Sequence, residues 1–255
     1  WRITMKKTLL ALAGASLLSV SAQAEQFWAD NSVSVLYGSD YEFNQDASGD
    51  GVDTTTMTLE HVSGHSWGGL FLFVDRHNGG AYSETYGEFS PTYNLVKMDG
   101  FVSGINAAMT YEFGSASNTQ QLDNFLWGVG ADLKVPGLDY ASATFFYADN
   151  TEAFGNSDDY QLTLVYGYSN GNLTIDGFMD YSFGNSNEGD LAFPGGPEVG
   201  QDSMNFTPQI TYNVGPMLGT KNKVKVGVEY SYWTNQFGVD GQDQSAISLL
   251  LKAHL

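Results

Sequence analysis

The side chains in this chain that could do chemistry are four histidines, the serines near them, and a set of carboxylates interleaved with phenylalanines. The histidines are His61, His65, His77 and His254. Nucleophilic catalysis needs a hydroxyl within hydrogen-bonding reach of a base. In "HVSGHS", residues 61–66, the stretch from Ser63 to Ser66 reads as a polar hairpin turn, and no histidine is expected beside a serine on an inward or rim position. Catalysis is therefore not expected. A metal loop fares little better: "DASGDG", Asp46 to Gly51, opens like a calcium loop with Ser48 at its third position. Its twelfth position is Met57, where a bidentate Glu is required. Asp46, Asp50 and Asp53 are left as weak ligands for a divalent cation at an outer surface, and no cofactor is implied. The third group is Phe71, Phe73 and Phe178 with Glu60, Asp75, Glu84, Glu88 and Asp180. Rings and carboxylates of this kind contact a solute without reacting with it, provided that one face of the elements carrying them meets water.

Those elements are strands. The 255 residues include 30 Gly, 15 Tyr and 16 Phe with no Cys, and strong helix-forming runs are absent beyond the first two dozen residues. That composition is all-β. Residues 5–24, "MKKTLLALAGASLLSVSAQA", have a basic start, an apolar middle and an A-x-A end, the pattern of a secretory signal. Residues 1–4 read as a start-site artefact, and residues 25–255 as a single domain. Without Arg2, Lys6 and Lys7, seven basic residues face 29 acidic ones, a formal charge of −22. Nucleic acid is excluded as a partner, because phosphate contacts need clustered cations. An exported chain without cysteine must also close itself by backbone pairing instead of disulfides.

Twelve segments of roughly ten residues alternate apolar and polar side chains between Gly/Asn/Asp/Ser clusters. They span 31–37, 54–62, 67–75, 84–95, 101–113, 122–134, 138–148, 159–169, 172–183, 203–214, 222–234 and 244–255. The last sets Ile247, Leu249, Leu251, Ala253 and Leu255 against Ser248, Lys252 and His254. In the third, Leu70, Leu72 and Val74 fall on one face and Phe71, Phe73 and Asp75 on the other. The links alternate in length, with long ones such as "GNSNEGDLAFPGGPEVGQD" after odd segments and short ones such as "SNGN" after even segments. Lys97, Lys134, Lys221 and Lys223 sit at the short-turn end. This pattern predicts an up-and-down, antiparallel transmembrane β-barrel of about 12 strands in the bacterial outer membrane. A soluble β-sandwich is the rival, but it has no need for one-sided loop lengths. Twelve strands lie between the eight that side chains fill and the sixteen that leave a wide channel, so the lumen should be narrow.

The stretch "TTMTLEHVSGHSWGGLFLFVDRHN" followed by "SETYGEFSPTYNL", with "WADNSVSVLYGSDYEFN" ahead of it, resembles the N-terminal signature of the Tsx-type nucleoside-specific channels and their OmpK-like relatives. The resemblance covers residues 28–95. It implies a twelve-stranded outer-membrane barrel that passes nucleosides and, in some members, serves as a bacteriophage receptor. A nucleoside offers a flat base and sugar hydroxyls, so a narrow pore can stack the base on rings and bind the hydroxyls with carboxylates. Inward parity nominates Phe71, Phe73 and Phe178 for stacking and Glu60, Asp75, Glu84, Glu88 and Asp180 as polar partners. An acidic lumen of this kind should reject phosphorylated solutes. Two other classes stay open: a structural or phage-receptor barrel occluded by its loops, and an outer-membrane hydrolase. Outer-membrane lipid, lipopolysaccharide and the barrel-assembly machinery are the further partners expected.

Overall fold

An extended backbone between two unlike solvents must alternate its side chains with period two. The computed structural model does so in twelve barrel strands; it describes residues 25–41, 51–80, 82–117, 121–151, 157–192, 194–220 and 223–255. Residues 1–24, which include the expected signal, and Asp46, Asp50 and Lys221 lie outside the described residues. The strands are β1 (Gln26–Tyr41), β2 (Val52–His65), β3 (Gly68–Gly79), β4 (Tyr82–Lys97), β5 (Val102–Ala116), β6 (Gln121–Leu133), β7 (Tyr140–Asp149), β8 (Asp159–Asn170), β9 (Leu173–Phe183), the short β10 (Asp190–Leu191) and β11 (Glu198–Val199), then β12 (Ser203–Asn213), β13 (Val224–Thr234) and β14 (Gln244–His254). Each of the twelve expected segments overlaps one barrel strand.

Chain neighbours pair antiparallel around the sheet, with β9 beside β12, and β14 closes onto β1. Val33 faces Ala253 and Leu36 faces Leu250 across that seam. Closure leaves no strand edge, which is the condition for strands in hydrocarbon, where an unpaired N–H or C=O has no water to bond. Gln26 pairs with His65 and Ser32 with His254, so both ends of the described chain lie at the short-turn end. The turn between β8 and β9 is Gly171-Asn172, with Gly171 at φ 62°, a left-handed geometry that glycine adopts without penalty.

The outer face is apolar and uncovered. On β14, Ile247, Leu249 and Leu251 are 62 %, 66 % and 50 % exposed, while the alternate Ser248 and Leu250 are 1 % and 3 % exposed. Val35, Met57, Leu59, Val129, Phe145 and Ile210 continue the exposed belt. Apolar surface costs about 25 cal/mol per Å² in water, so a belt this continuous is built for lipid.

Two details depart from the sequence expectation. β3 runs four residues past Asp75, to Gly79, which pairs with Tyr82 at the start of β4. The expected segment ends at residue 75; Asp75 and His77 both lie within the strand and face inward. Polar pairing extends the ladder there: Arg76 donates to Thr85 Oγ1 at 3.0 Å and Ser83 Oγ at 2.9 Å, and His77 Nδ1 lies 2.8 Å from Thr56 Oγ1. The link from β12 to β13, at the short-turn end, is conversely ten residues with a 3-10 turn at Gly215–Leu218. At the opposite end the long link carrying β10 and β11 packs on the link between β13 and β14. Gln201 N–H donates to Gly238 O and Asp240 N–H to Glu198 O, both at 2.9 Å.

Candidate lumenal binding site

Register fixes which candidates face inward. Phe71 pairs with Val62 and Ser90, Phe73 with Glu60 and Glu88, Asp75 with Thr58 and Tyr86, and His77 with Thr56 and Glu84. Residues paired across a strand share a face, so Phe71, Phe73, Asp75, Glu60, Glu84 and Glu88 form one lumenal panel on β2, β3 and β4. Phe178 and Asp180 face inward from β9, paired with Val165 and Thr163 on β8. They belong to the opposite wall.

Within the panel the rings are continuous. Phe71 and Phe73 have centroids 5.6 Å apart, and Phe73 and Tyr86 5.7 Å apart. Tyr86 also donates its hydroxyl to Glu88 Oε1 at 2.8 Å. Glu112 faces Glu88 across the β4–β5 pair and accepts from Asn124 Nδ2 at 2.8 Å. On the far wall, Asp180 Oδ1 accepts from Thr163 and, at 3.2 Å, from Gln161 Nε2. Asp180 and Glu112 lie near enough to Glu88 to act on its charge, so the two acidic walls converge into one narrow zone. Glu88, Glu112 and Asp180 each have a neutral donor beside them, which holds the carboxyl group in place.

The third of the lumen at the short-turn end is different. Lys252 Nζ lies 3.1 Å from Glu60 Oε1, and His254 Nδ1 lies 2.6 Å from Asp30 Oδ2. Lys225 is the register partner of Lys252. Cations thus gather below the acidic zone. Higher up, Glu229 accepts from Gln209 at 2.7 Å, and Trp233, bonded through Nε1 to Ser203 Oγ at 2.8 Å, meets Phe237 at a tilt of 53° with centroids 5.0 Å apart, at the long-link mouth.

Tyr86, Glu112, Asn124 and Trp233 are lumenal residues that the sequence left unnamed. Tyr86 carried a signal, since it lies in the period-two row between Glu84 and Glu88. Glu112 carried one too, continuing Asn106, Ala108 and Thr110. Asp53, the described member of the weak cation set, sits in β2 and accepts the Tyr37 hydroxyl at 2.7 Å. Asp46 and Asp50 lie outside the described residues.

The histidines yield one correction. Ser63 and His65 are in β2 and not in a turn, which consists of Ser66 and Trp67 alone. Ser63 Oγ lies 3.0 Å from His61 Nε2 and 2.9 Å from His65 Nε2. Parity aligns all three on one face because they are two residues apart, and that face is the outer one.

No family model matches the chain, and no curated protein matches it in sequence. Solved structures do match. NanC porin is 12 % identical with a TM-score of 0.51, over 88 % of this chain and 98 % of that one. KdgM porin is 12 % identical with a TM-score of 0.48, over 87 % and 98 %. OccK11 (OpdR) of Pseudomonas aeruginosa is 7 % identical with a TM-score of 0.45, over 92 % and 96 %. The similarity to NanC porin is one of fold. With its closed barrel and uncovered apolar belt, the chain is an outer-membrane β-barrel with a porin-like channel fold.

Proposed function

We propose that this barrel is a passive channel selective for nucleosides. The observation that carries the proposal is the continuous strip Phe71, Phe73 and Tyr86 set against Glu88 and Glu112. The rings offer a surface for a flat base, worth about 1–3 kcal/mol per stacked base. The carboxylates beside them accept hydrogen bonds from sugar hydroxyls, and charged acceptors make the stronger bonds. Phe178 and Asp180 serve as the facing wall. The resemblance of residues 28–95 to the Tsx-type channels supports the same solute class. Conduction of this kind is passive and needs no chemical step. Excess lumenal carboxylate favours neutral solutes over phosphorylated ones.

Liposome swelling with nucleosides, sugars and nucleotides side by side tests the proposal. Nucleosides should enter faster than sugars of equal size, and nucleotides slowest. Equal rates for nucleosides and sugars would remove the selectivity. A second function, an occluded receptor barrel, is favoured by the docking of the two long external links, in which Val199 is 3 % exposed. Single-channel conductance separates the two, since an occluded barrel passes no current.

A further inference from the structure

The outer face of β1 and β2 changes character near the short-turn end. Val33, Val35, Met57 and Leu59 are apolar, but the outward positions below them are Asn31, His61, Ser63 and His65. These four form an unbroken chain. Asn31 Oδ1 lies 2.8 Å from His61 Nδ1, His61 Nε2 lies 3.0 Å from Ser63 Oγ, and Ser63 Oγ lies 2.9 Å from His65 Nε2. An amide oxygen can only accept, so the proton of His61 is on Nδ1 and the lone pair of Nε2 faces the serine hydroxyl. Ser63 then donates to His61 and accepts from His65 Nε2–H. We infer that this is a serine-hydrolase site on the membrane-facing surface, acting on the carboxylic esters of glycerophospholipid in the periplasmic leaflet, with Ser63 as nucleophile, His61 as base, His65 as oxyanion donor and Asn31 as the residue that positions His61.

The depth fits that substrate. His65 stacks on Trp67 at 5.0 Å with the rings 10° from parallel, and Phe27 and Tyr93 are exposed at the same end. Aromatic side chains mark the headgroup level of a barrel, and the ester groups of a phospholipid lie at the boundary between headgroup and acyl chain. Ser63 is 2 % exposed, with a histidine bonded to it from either side along the strand. His65 is the last residue of β2, so its side chain can turn from Oγ towards a bound carbonyl without breaking the ladder.

The reaction balances with water as the only co-reactant. The Ser63 proton passes to His61 Nε2 as Oγ bonds to the ester carbon. His65 Nε2–H donates to the resulting oxyanion, the interaction that supplies the largest share of such catalysis. Collapse breaks the bond to the glycerol oxygen, which leaves with the proton from His61. Water then gives a proton to His61 and attacks the acyl-serine, releasing the fatty acid and restoring the hydroxyl.

The test uses the full folded chain in mixed micelles of detergent and phosphatidylethanolamine, with fatty-acid release measured and a fluorophosphonate probe located by mass spectrometry. Folding of each variant is checked by heat-modifiable gel mobility. Release and a label on Ser63 are expected, with release falling about a hundredfold or more in Ser63→Ala and His61→Ala. Asn31→Leu should lose activity while Asn31→Asp, which keeps an acceptor, retains it. Ion conductance should be unchanged in Ser63→Ala, since that residue is outside the lumen. Equal fatty-acid release from wild type and Ser63→Ala overturns the inference, as does a folded wild-type barrel that the probe leaves unlabelled. Labelling of Ser63 without release from phosphatidylethanolamine overturns the lipid assignment.

Discussion

Lys252 Nζ on β14 reaches Glu60 Oε1 on β2 at 3.1 Å, spanning the intervening strand β1 from inside the lumen. Ser32 on β1 donates to the same oxygen at 3.4 Å. Three strands are thereby tied together at the seam where the first and last strands meet. Lys252→Met should lower barrel stability by on the order of 1–2 kcal/mol, between the values for an exposed and a fully buried pair. Urea midpoints of Lys252→Met, Glu60→Gln and the double variant supply the cycle. Additive losses would mean that the two side chains do not interact.

Charge in the narrow zone should set ion preference. Glu88→Gln and Asp180→Asn each remove one of the converging carboxylates, and each should shift the reversal potential in a salt gradient towards weaker cation selectivity. The same variants should narrow the gap between nucleoside and nucleoside-monophosphate flux. Raising the salt concentration in wild type should do likewise, since the Debye length falls from about 10 Å at 0.1 M to about 3 Å at 1 M. Equal flux of both solutes at low salt would contradict the acidic-filter account.

The barrel has a direction that protease can read. External protease on intact cells should cut within residues 184–202 and spare the Gly171-Asn172 turn, because the long links face outward in this orientation. Cleavage confined to the short turns would reverse the orientation.

Phe71 and Phe73 face the lumen while Leu70 and Leu72 face lipid, one residue away on the same strand. Phe71→Ala or Phe73→Ala should weaken nucleoside block of ion current and leave conductance equal or larger, by removing a ring from the wall. Leu70→Ala or Leu72→Ala should leave nucleoside affinity unchanged and cost only a little stability. Current-block titrations of the four variants check the contrast. Loss of block in the leucine variants alone would place the solute site away from this strip.

Local pattern determined the fold. Side-chain alternation has a period of two, turn residues punctuate it, and the bilayer fixes strand length, so twelve strands and their inward and outward rows were legible one segment at a time. Phe71, Phe73 and Asp75 were placed inward by parity alone, and register agrees because a slip of one residue would turn the whole lipid face of β3 inward. Where a strand stops was less legible: polar cross-strand bonds from Arg76 and His77 carry β3 past the point where its apolar run ends.

What only the tertiary structure decided is which rows meet. Glu88 and Asp180 are 92 positions apart in the chain, and their convergence depends on closure of the sheet. Nothing in the spacing of "SETYGEF" or "GFMDYSF" encodes the distance across a lumen. The same holds for Asn31 and His61, which form a hydrogen bond because register places β1 beside β2, and for Lys252 and Glu60, which meet across the seam. Parity is a property of one strand, written in its own residues; proximity across a barrel is a property of all twelve, because strand number and stagger together set how far apart opposite walls stand.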